Sequence, residues 1–229
     1  MKFVVLGDPV DHSRSPAIHS AALEATGING TYTARRVDES GMVSAVDEER
    51  YGRLTGANVT MPHKQLAFDL ADRVNESALR SGAVNTLVRR SGDVWGYNTD
   101  VEGIRAVWQS ASLPIDRPVL ILGAGGAAAA AAIALAGTTI VVSARRGRAA
   151  VDLLERTRTE GSTVPWGTSL DGAVLVNATP IGMGTQSLPA NVLEAASALF
   201  DLTYGPAESS AVAHARSLEI PATDGRELL

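Results

Sequence analysis

Apolar positions in this chain come in short blocks, and their period switches repeatedly between that of a strand and that of a helix. Phe3 to Leu6 is a continuous apolar run closed by Gly7 and reads as a buried strand. The pattern then predicts a helix over Pro16 to Thr26, a strand over Thr31 to Val37, a helix over Ser40 to Glu48, a strand over Gly56 to Thr60 and a helix over Lys64 to Ala71. Ala83 to Arg89 and Asp93 to Tyr97 read as a strand pair turning at Ser91-Gly92.

A helical stretch from Val101 to Ser110 leads into the polar, proline-bounded segment Ser112 to Pro118, the expected passage between two lobes. The alternation restarts with a strand at Val119 to Leu122, a glycine-rich turn, an alanine-rich helix, a strand at Thr139 to Ser143 and a helix at Ala149 to Arg158. Strands near Thr163 to Trp166, Ala173 to Asn177 and Leu199 to Thr203 complete a mostly parallel sheet, followed by a helix at Ser209 to Leu218. The expected fold is α/β in two lobes, an N-terminal α/β domain over residues 1–101 and a C-terminal Rossmann-type dinucleotide-binding domain over 102–229.

Composition narrows the chemistry. With 45% apolar and 20% charged residues the chain can bury a core, which excludes a disordered protein. A net charge of −5 leaves no basic field for phosphodiester backbones or anionic lipid, so neither nucleic acid nor membrane is an expected partner. The absence of cysteine excludes disulfides, thiolate metal sites and a cysteine nucleophile. Met1 to Gly7 lacks the form of a signal peptide, and the longest apolar run, Ala127 to Ala136, is too short and alanine-rich to span a bilayer, so the expectation is a cytoplasmic protein. Lys2 and Lys64 are the only lysines; where arginine is the default cation, Lys64 points to proton chemistry that arginine cannot perform.

Strand Val119 to Leu122 runs into Gly123-Ala124-Gly125-Gly126-Ala127-Ala128, a G-x-G-x-x-A element opening a helix. In such an element the first glycine makes the turn, the second admits backbone N–H groups to a pyrophosphate, and the small third residue lets helix and strand pack closely. A plain glycine-rich turn is the alternative. At the end of the next strand Ser143-Ala144-Arg145-Arg146-Gly147-Arg148 offers no carboxylate for a ribose 2′-OH but three guanidinium groups, which favours NADP over NAD; the alternative is a solvated basic turn.

Polar loops occur where strands end: Gly7 to His19, Asn58 to Lys64, Asn85-Thr86, Asn98 to Asp100 and Thr203-Tyr204. Ligands of parallel α/β sheets bind beyond the carboxyl ends of strands, so these loops are expected to converge. Their hydroxyl, amide, ammonium and carboxylate groups suit a polyhydroxylated acid and lack a His/Asp/Glu set for a metal.

These loops are similar, in order and spacing, to the signature motifs of the shikimate dehydrogenase family. The matching stretches are Gly7 to Pro16, Asn58 to Lys64, Gly82 to Thr86, Gly96 to Asp100, Leu122 to Ala128, Asn177 to Met183 and Asp201 to Pro206. The resemblance implies NADP(H)-dependent, reversible reduction of 3-dehydroshikimate to shikimate in chorismate and aromatic amino-acid biosynthesis, by a monomer or homodimer. It implies a first domain that binds substrate, with Lys64 and Asp100 as the catalytic pair. Ser13, Ser15 and Tyr204 correspond to the groups that hold the substrate carboxylate, and Asn58, Thr60, Asn85 and Asp100 to those that bind ring hydroxyls. Gly123, Ala124, Gly125, Gly126, Ala127, Ser143, Arg145, Arg148, Thr179, Met183 and Gly225 correspond to the cofactor site. Helix capping is the alternative for Ser13, Ser15 and Asp100. His12, His19 and His63 are expected to be structural.

Two departures from the family pattern bear on these expectations. Ala144 stands where the family usually has arginine, so 2′-phosphate binding falls to Arg145 and Arg148. Beyond Asp224-Gly225 the family continues into a helix carrying a substrate-binding glutamine, whereas this sequence ends at Leu229; the expectation is weaker shikimate binding and an apolar surface on the first lobe open to a partner chain. A quinate/shikimate dehydrogenase using NAD and a catalytically weak ligand-binding paralogue are the alternatives.

Overall fold

Strands and helices alternate along most of the chain, and a computed structural model describes every residue except His12, Gly184, Thr185, Pro206 and Leu229. The role expected of His12 lies outside the described residues. The chain divides into two units, Met1–Thr99 and Asp100–Leu228. No helix among the described residues is long and apolar enough to cross a membrane.

The first unit contains β1 (Lys2–Gly7), α1 (Ser15–Thr26), β2 (Thr31–Arg36), α2 (Glu39–Arg50), β3 (Gly56–Val59), α3 (Lys64–Leu70), β4 (Arg73–Val74), α4 (Glu76–Ser81), β5 (Thr86–Arg90) and β6 (Asp93–Tyr97). Its sheet runs β2-β1-β3-β5-β6-β4; β1 pairs in parallel with β2 and β3, while β5 is antiparallel to β3 and β6. Alternation along β1 divides the core. Val4 and Leu6 face Met42, Ala45 and Val46 of α2 and Ala67 of α3, whereas Val5 packs with Val10 and Tyr32, against which Leu23 of α1 rests. Helix α1 buries none of its residues fully.

Helix α4 and the two-residue strand β4 are elements the apolar pattern did not reveal. Asn75 caps α4 by accepting from the Ala78 N–H at 2.9 Å, and Gly82 ends it in the left-handed region at φ 62°. The signal was in the capping residues, since a six-residue helix is too short for a periodic apolar face.

The second unit contains α5 (Asp100–Ser110), β7 (Val119–Leu122), α6 (Gly126–Ala134), β8 (Ile140–Ser143), α7 (Gly147–Thr157), β9 (Gly161–Val164), β10 (Val174–Asn177), α8 (Ala190–Glu194), β11 (Ala198–Asp201), α9 (Ser210–Ser217) and β12 (Ala222–Asp224). The sheet is parallel throughout, in the order β12-β11-β10-β7-β8-β9. The chain leaves β7 towards one edge and returns beside it at β10, which is the doubly wound arrangement with its crevice between β7 and β10. Both faces are covered, so β7, β8, β10 and β11 are apolar up to the polar residues Ser143, Asn177 and Asp201 that end the last three. Ile121, Val142 and Val176 meet α5, α6 and α7 on one side, and Leu122, Leu175 and Leu199 meet α8 and α9 on the other. Ala128 to Ala132 of α6 are wholly buried, and their small side chains bring this helix close to its neighbours.

Candidate active site

Within the first unit, the substrate-site residues expected from the sequence sit where strands end. Gly7 closes β1 and passes so near Thr60 that a Cβ there would lie 2.4 Å from the Thr60 methyl, so glycine is required by close approach. Thr60 follows β3 directly, its N–H donating to the Leu6 carbonyl at 2.9 Å. Lys64 is half-buried at the first position of α3, and its carbonyl accepts from the Val84 N–H at 2.8 Å, which anchors the helix start beside Asn85. The neighbouring His63 is buried and its Nε2 lies 2.7 Å from the Val37 carbonyl, an arrangement that holds the turn before α3.

Asn58 and Asn85 belong to one hydrogen-bonded chain. The Tyr32 hydroxyl donates to Asn58 Oδ1 at 2.7 Å, and Asn58 Nδ2 donates to Thr86 Oγ1 at 3.1 Å. Thr86 Oγ1 donates to Asn85 Oδ1 at 3.0 Å, and Asn85 Nδ2 donates to Thr99 Oγ1 at 3.0 Å. Half-buried and buried amides linked in series fix each other's orientation. Tyr32, Thr86 and Thr99 were not singled out from the sequence. The two threonines lie inside the polar strand-end motifs, while the role of Tyr32 depends on β2 pairing beside β1 and has no local signal.

Ser13 and Ser15 are half-buried around the start of α1, where Ser13 Oγ accepts from the Ser15 N–H at 3.3 Å. The N-cap position belongs to Arg14, in helical conformation and without a side-chain cap. The capping alternative for these serines is therefore reduced to the Ser13–Ser15 contact. Asp100 is the first residue of α5, inside the helix rather than before it.

The second unit holds the expected cofactor residues. Gly123 has φ 114°, and a Cβ there would come within 2.9 Å of the Ala178 carbonyl, so the turn between β7 and α6 admits only glycine. Gly125 is the N-cap of α6, exposed, with nothing within 4 Å of a Cβ built on it and no side chain capping the helix. Gly126 and Ala127 open the helix, Ala124 lies in the turn, and no side chain caps the amide donors of the first turn. An anionic pyrophosphate fits this cradle, since the N–H groups and the helix dipole both favour it.

Ser143 is wholly buried at the end of β8, and its hydroxyl donates to the Pro165 carbonyl at 3.1 Å. Arg145 is exposed just after it and forms no ion pair among the described residues. Arg148 is also exposed, with Nε 2.7 Å from Asp152 Oδ1 one turn along α7. Thr179 is turned towards Asn177, its hydroxyl donating to Asn177 Oδ1 at 2.7 Å, and Met183 is exposed in the following loop. Gly225 is buried against the Leu202 and Thr203 carbonyls, 2.6 and 2.8 Å from a Cβ built there. Half-buried Tyr204 lies in the loop after β11.

Asp201, at the end of β11, is wholly buried and was also not singled out. Its Oδ1 accepts from Asn177 Nδ2 at 2.9 Å, Thr203 N at 3.0 Å and Thr203 Oγ1 at 2.9 Å, and its Oδ2 from Ser209 Oγ at 2.5 Å. Burial pushes this carboxyl up from its ordinary value, and the four hydrogen bonds oppose that shift. Among the described residues no cluster of three or more His, Asp or Glu side chains is arranged to hold a metal.

Residues 5–87 match the shikimate dehydrogenase substrate binding domain. The shikimate dehydrogenase (NADP(+)) of Acidiphilium cryptum is 39% identical, over 98% of this chain and 84% of its own length. That of Desulforamulus reducens is 35% identical over the same shares of the two chains. The crystal structure of shikimate 5-dehydrogenase from Thermus thermophilus in complex with NADP(H) and shikimate is 34% identical, with a TM-score of 0.88 over 100% of this chain and 88% of that one. Similarity of this depth extends through both units and takes in the strand-end loops described above: the chain belongs to the shikimate dehydrogenase family.

Proposed function

We propose that the chain is an NADP-dependent shikimate dehydrogenase, catalysing the reversible reduction of 3-dehydroshikimate to shikimate in chorismate and aromatic amino-acid biosynthesis. The observation that carries this reading is the ordered polar chain Asn58–Thr86–Asn85–Thr99, lying beside a half-buried lysine at the start of α3. Such a row of fixed amides and hydroxyls offers donors and acceptors at defined spacing, as recognition of a hydroxylated ring requires.

The first unit binds the substrate in this account, and the second binds the cofactor. Ser13, Ser15 and Tyr204 take the substrate carboxylate; Asn58, Thr60, Asn85 and Asp100 take the ring hydroxyls. Gly123 to Ala127 hold the pyrophosphate of NADP(H) through their backbone, Arg145 and Arg148 take the 2′-phosphate, and Ser143, Thr179, Met183 and Gly225 shape the rest of the site. When bound, NADPH supplies the hydride for carbonyl reduction. The ammonium of Lys64 hydrogen-bonds the carbonyl oxygen, stabilises negative charge developing there and transfers a proton to it; in the oxidative direction the neutral amine accepts that proton. Asp100 orients the ammonium and a neighbouring substrate hydroxyl. A net charge of −5 leaves no basic field for a phosphodiester backbone, in keeping with a small-molecule substrate.

Product identification tests the assignment. Incubating the purified chain with 3-dehydroshikimate and NADPH is expected to yield shikimate and NADP in equal amounts by proton NMR, and consumption of NADPH without shikimate contradicts it.

A further inference from the structure

Tyr32 and His19 take no part in the site as assigned, yet they stand behind it. Tyr32 is 7% exposed on β2, and its hydroxyl donates to Asn58 Oδ1 at 2.7 Å. This bond sets the sense of the Asn58 amide, in agreement with the Asn85 backbone carbonyl, which accepts from Asn58 Nδ2 at 3.4 Å. With Oδ1 occupied by the phenol, Asn58 presents Nδ2 to Thr86 Oγ1, which donates to Asn85 Oδ1; the same Oδ1 accepts from the Thr99 N–H at 3.0 Å. Asn58 is thus oriented from Tyr32, and Asn85 from both Thr86 and Thr99.

The Tyr32 ring is itself covered by His19, stacked at 4.3 Å between centroids with 4° between planes. His19 lies four residues after Ser15 on α1, so the two share one face of the helix. Helix α1 buries no residue fully, and this stack and the packing of Leu23 are among the contacts that seat it on β2. One side-chain pair thus connects the helix bearing Ser15 to the amide of Asn58.

We propose that Tyr32, held by the His19 stack, is a positioning residue for substrate. It fixes the amide orientation of Asn58, and it ties the carboxylate-binding end of the substrate site to the hydroxyl-binding end. The inference rests on the proposed function, because it concerns recognition of the same ring.

Steady-state kinetics on the full chain test it. Tyr32→Phe keeps the ring and removes only the donor; it is expected to raise the KM for shikimate about 5- to 20-fold while leaving the KM for NADP within about twofold of the unaltered chain. His19→Ala is expected to raise the shikimate KM in the same selective manner, and His19→Phe, which restores a stacking ring, to return it within about twofold of the starting value. The double variant Tyr32→Phe/His19→Ala is expected to be less impaired than the product of the two single effects, since both break one linkage. An unchanged shikimate KM in Tyr32→Phe overturns the proposal, and so does a parallel rise in the KM for NADP, which marks general loosening. An unaltered chain that does not oxidise shikimate removes the proposed function, and this inference with it, before any variant is compared.

Discussion

Asn177 donates its side-chain amide to the buried carboxylate of Asp201 at 2.9 Å, so the carboxyl ends of β10 and β11 are joined by side chains as well as by the strand ladder. The same two residues organise the loop after each strand. Asn177 Oδ1 accepts from Thr179 N and Oγ1, and Asp201 accepts from Thr203 and Ser209. Two loops assigned to cofactor and substrate therefore share one buried anchor.

Replacing that anchor is expected to disturb both loops at once. Asp201→Asn puts an amide where four donors converge, leaves at least one of them without an acceptor, and is expected to cost about 1 to 3 kcal/mol of stability. The KM values for NADP and for shikimate are expected to rise together, in contrast to the selective effect of Tyr32→Phe. Chemical denaturation together with initial-rate kinetics checks both parts.

Lys64 is assigned a proton-transfer role that charge alone cannot fill. Lys64→Ala is expected to lower kcat by about 10² to 10⁴ with little change in KM, and Lys64→Arg is expected not to restore it, because a guanidinium holds its proton near neutral pH. Near-normal turnover in Lys64→Arg would show that a fixed positive charge suffices.

Discrimination between cofactors is expected to depend on the turn after β8. Arg145 is exposed and outside any ion pair among the described residues, whereas Arg148 already meets Asp152. Removing both is expected to raise the KM for NADP about ten- to a hundredfold relative to that for NAD, with the larger share from Arg145. Equal effects on the two cofactors would mean that neither guanidinium meets the 2′-phosphate.

Glu49 on α2 makes stability depend on pH. It is wholly buried, neither carboxylate oxygen has a hydrogen-bond partner of good geometry, and burial pushes its carboxyl up from an ordinary 4.5 to about 7. The folded chain thus holds this proton more tightly than the unfolded chain. Stability is expected to fall as pH rises from about 4.5 to about 7, by on the order of 3 kcal/mol, and then to level off. Glu49→Gln is expected to flatten that slope and to be the more stable form at pH 8, as urea unfolding across this range can show.

Much of this was legible in the sequence where one residue type answers one backbone demand. The apolar blocks of β7, β8, β10 and β11 announce a sheet covered on both sides, and Gly123 marks a turn that tolerates no Cβ. Strand β9 begins at Gly161, two residues before its expected start, because a Cβ at that glycine would lie 2.8 Å from the Ile140 carbonyl and the backbone pairs closely there. Short elements were harder to see. Helices α4 and α8 and strands β4 and β12 have at most six residues each, too few for a period to emerge. The partners of Asn58 and Asn177 were hidden for a different reason: Tyr32 is 26 residues from Asn58 and Asp201 is 24 from Asn177, and only strand pairing brings them together.

The central claim is the activity itself, and initial rates for shikimate and quinate, each with NADP and with NAD, test it most directly. The account predicts that shikimate with NADP gives by far the highest kcat/KM of the four. Preference for quinate with NAD, or no turnover in any combination by a folded chain that still binds NADP, would contradict it.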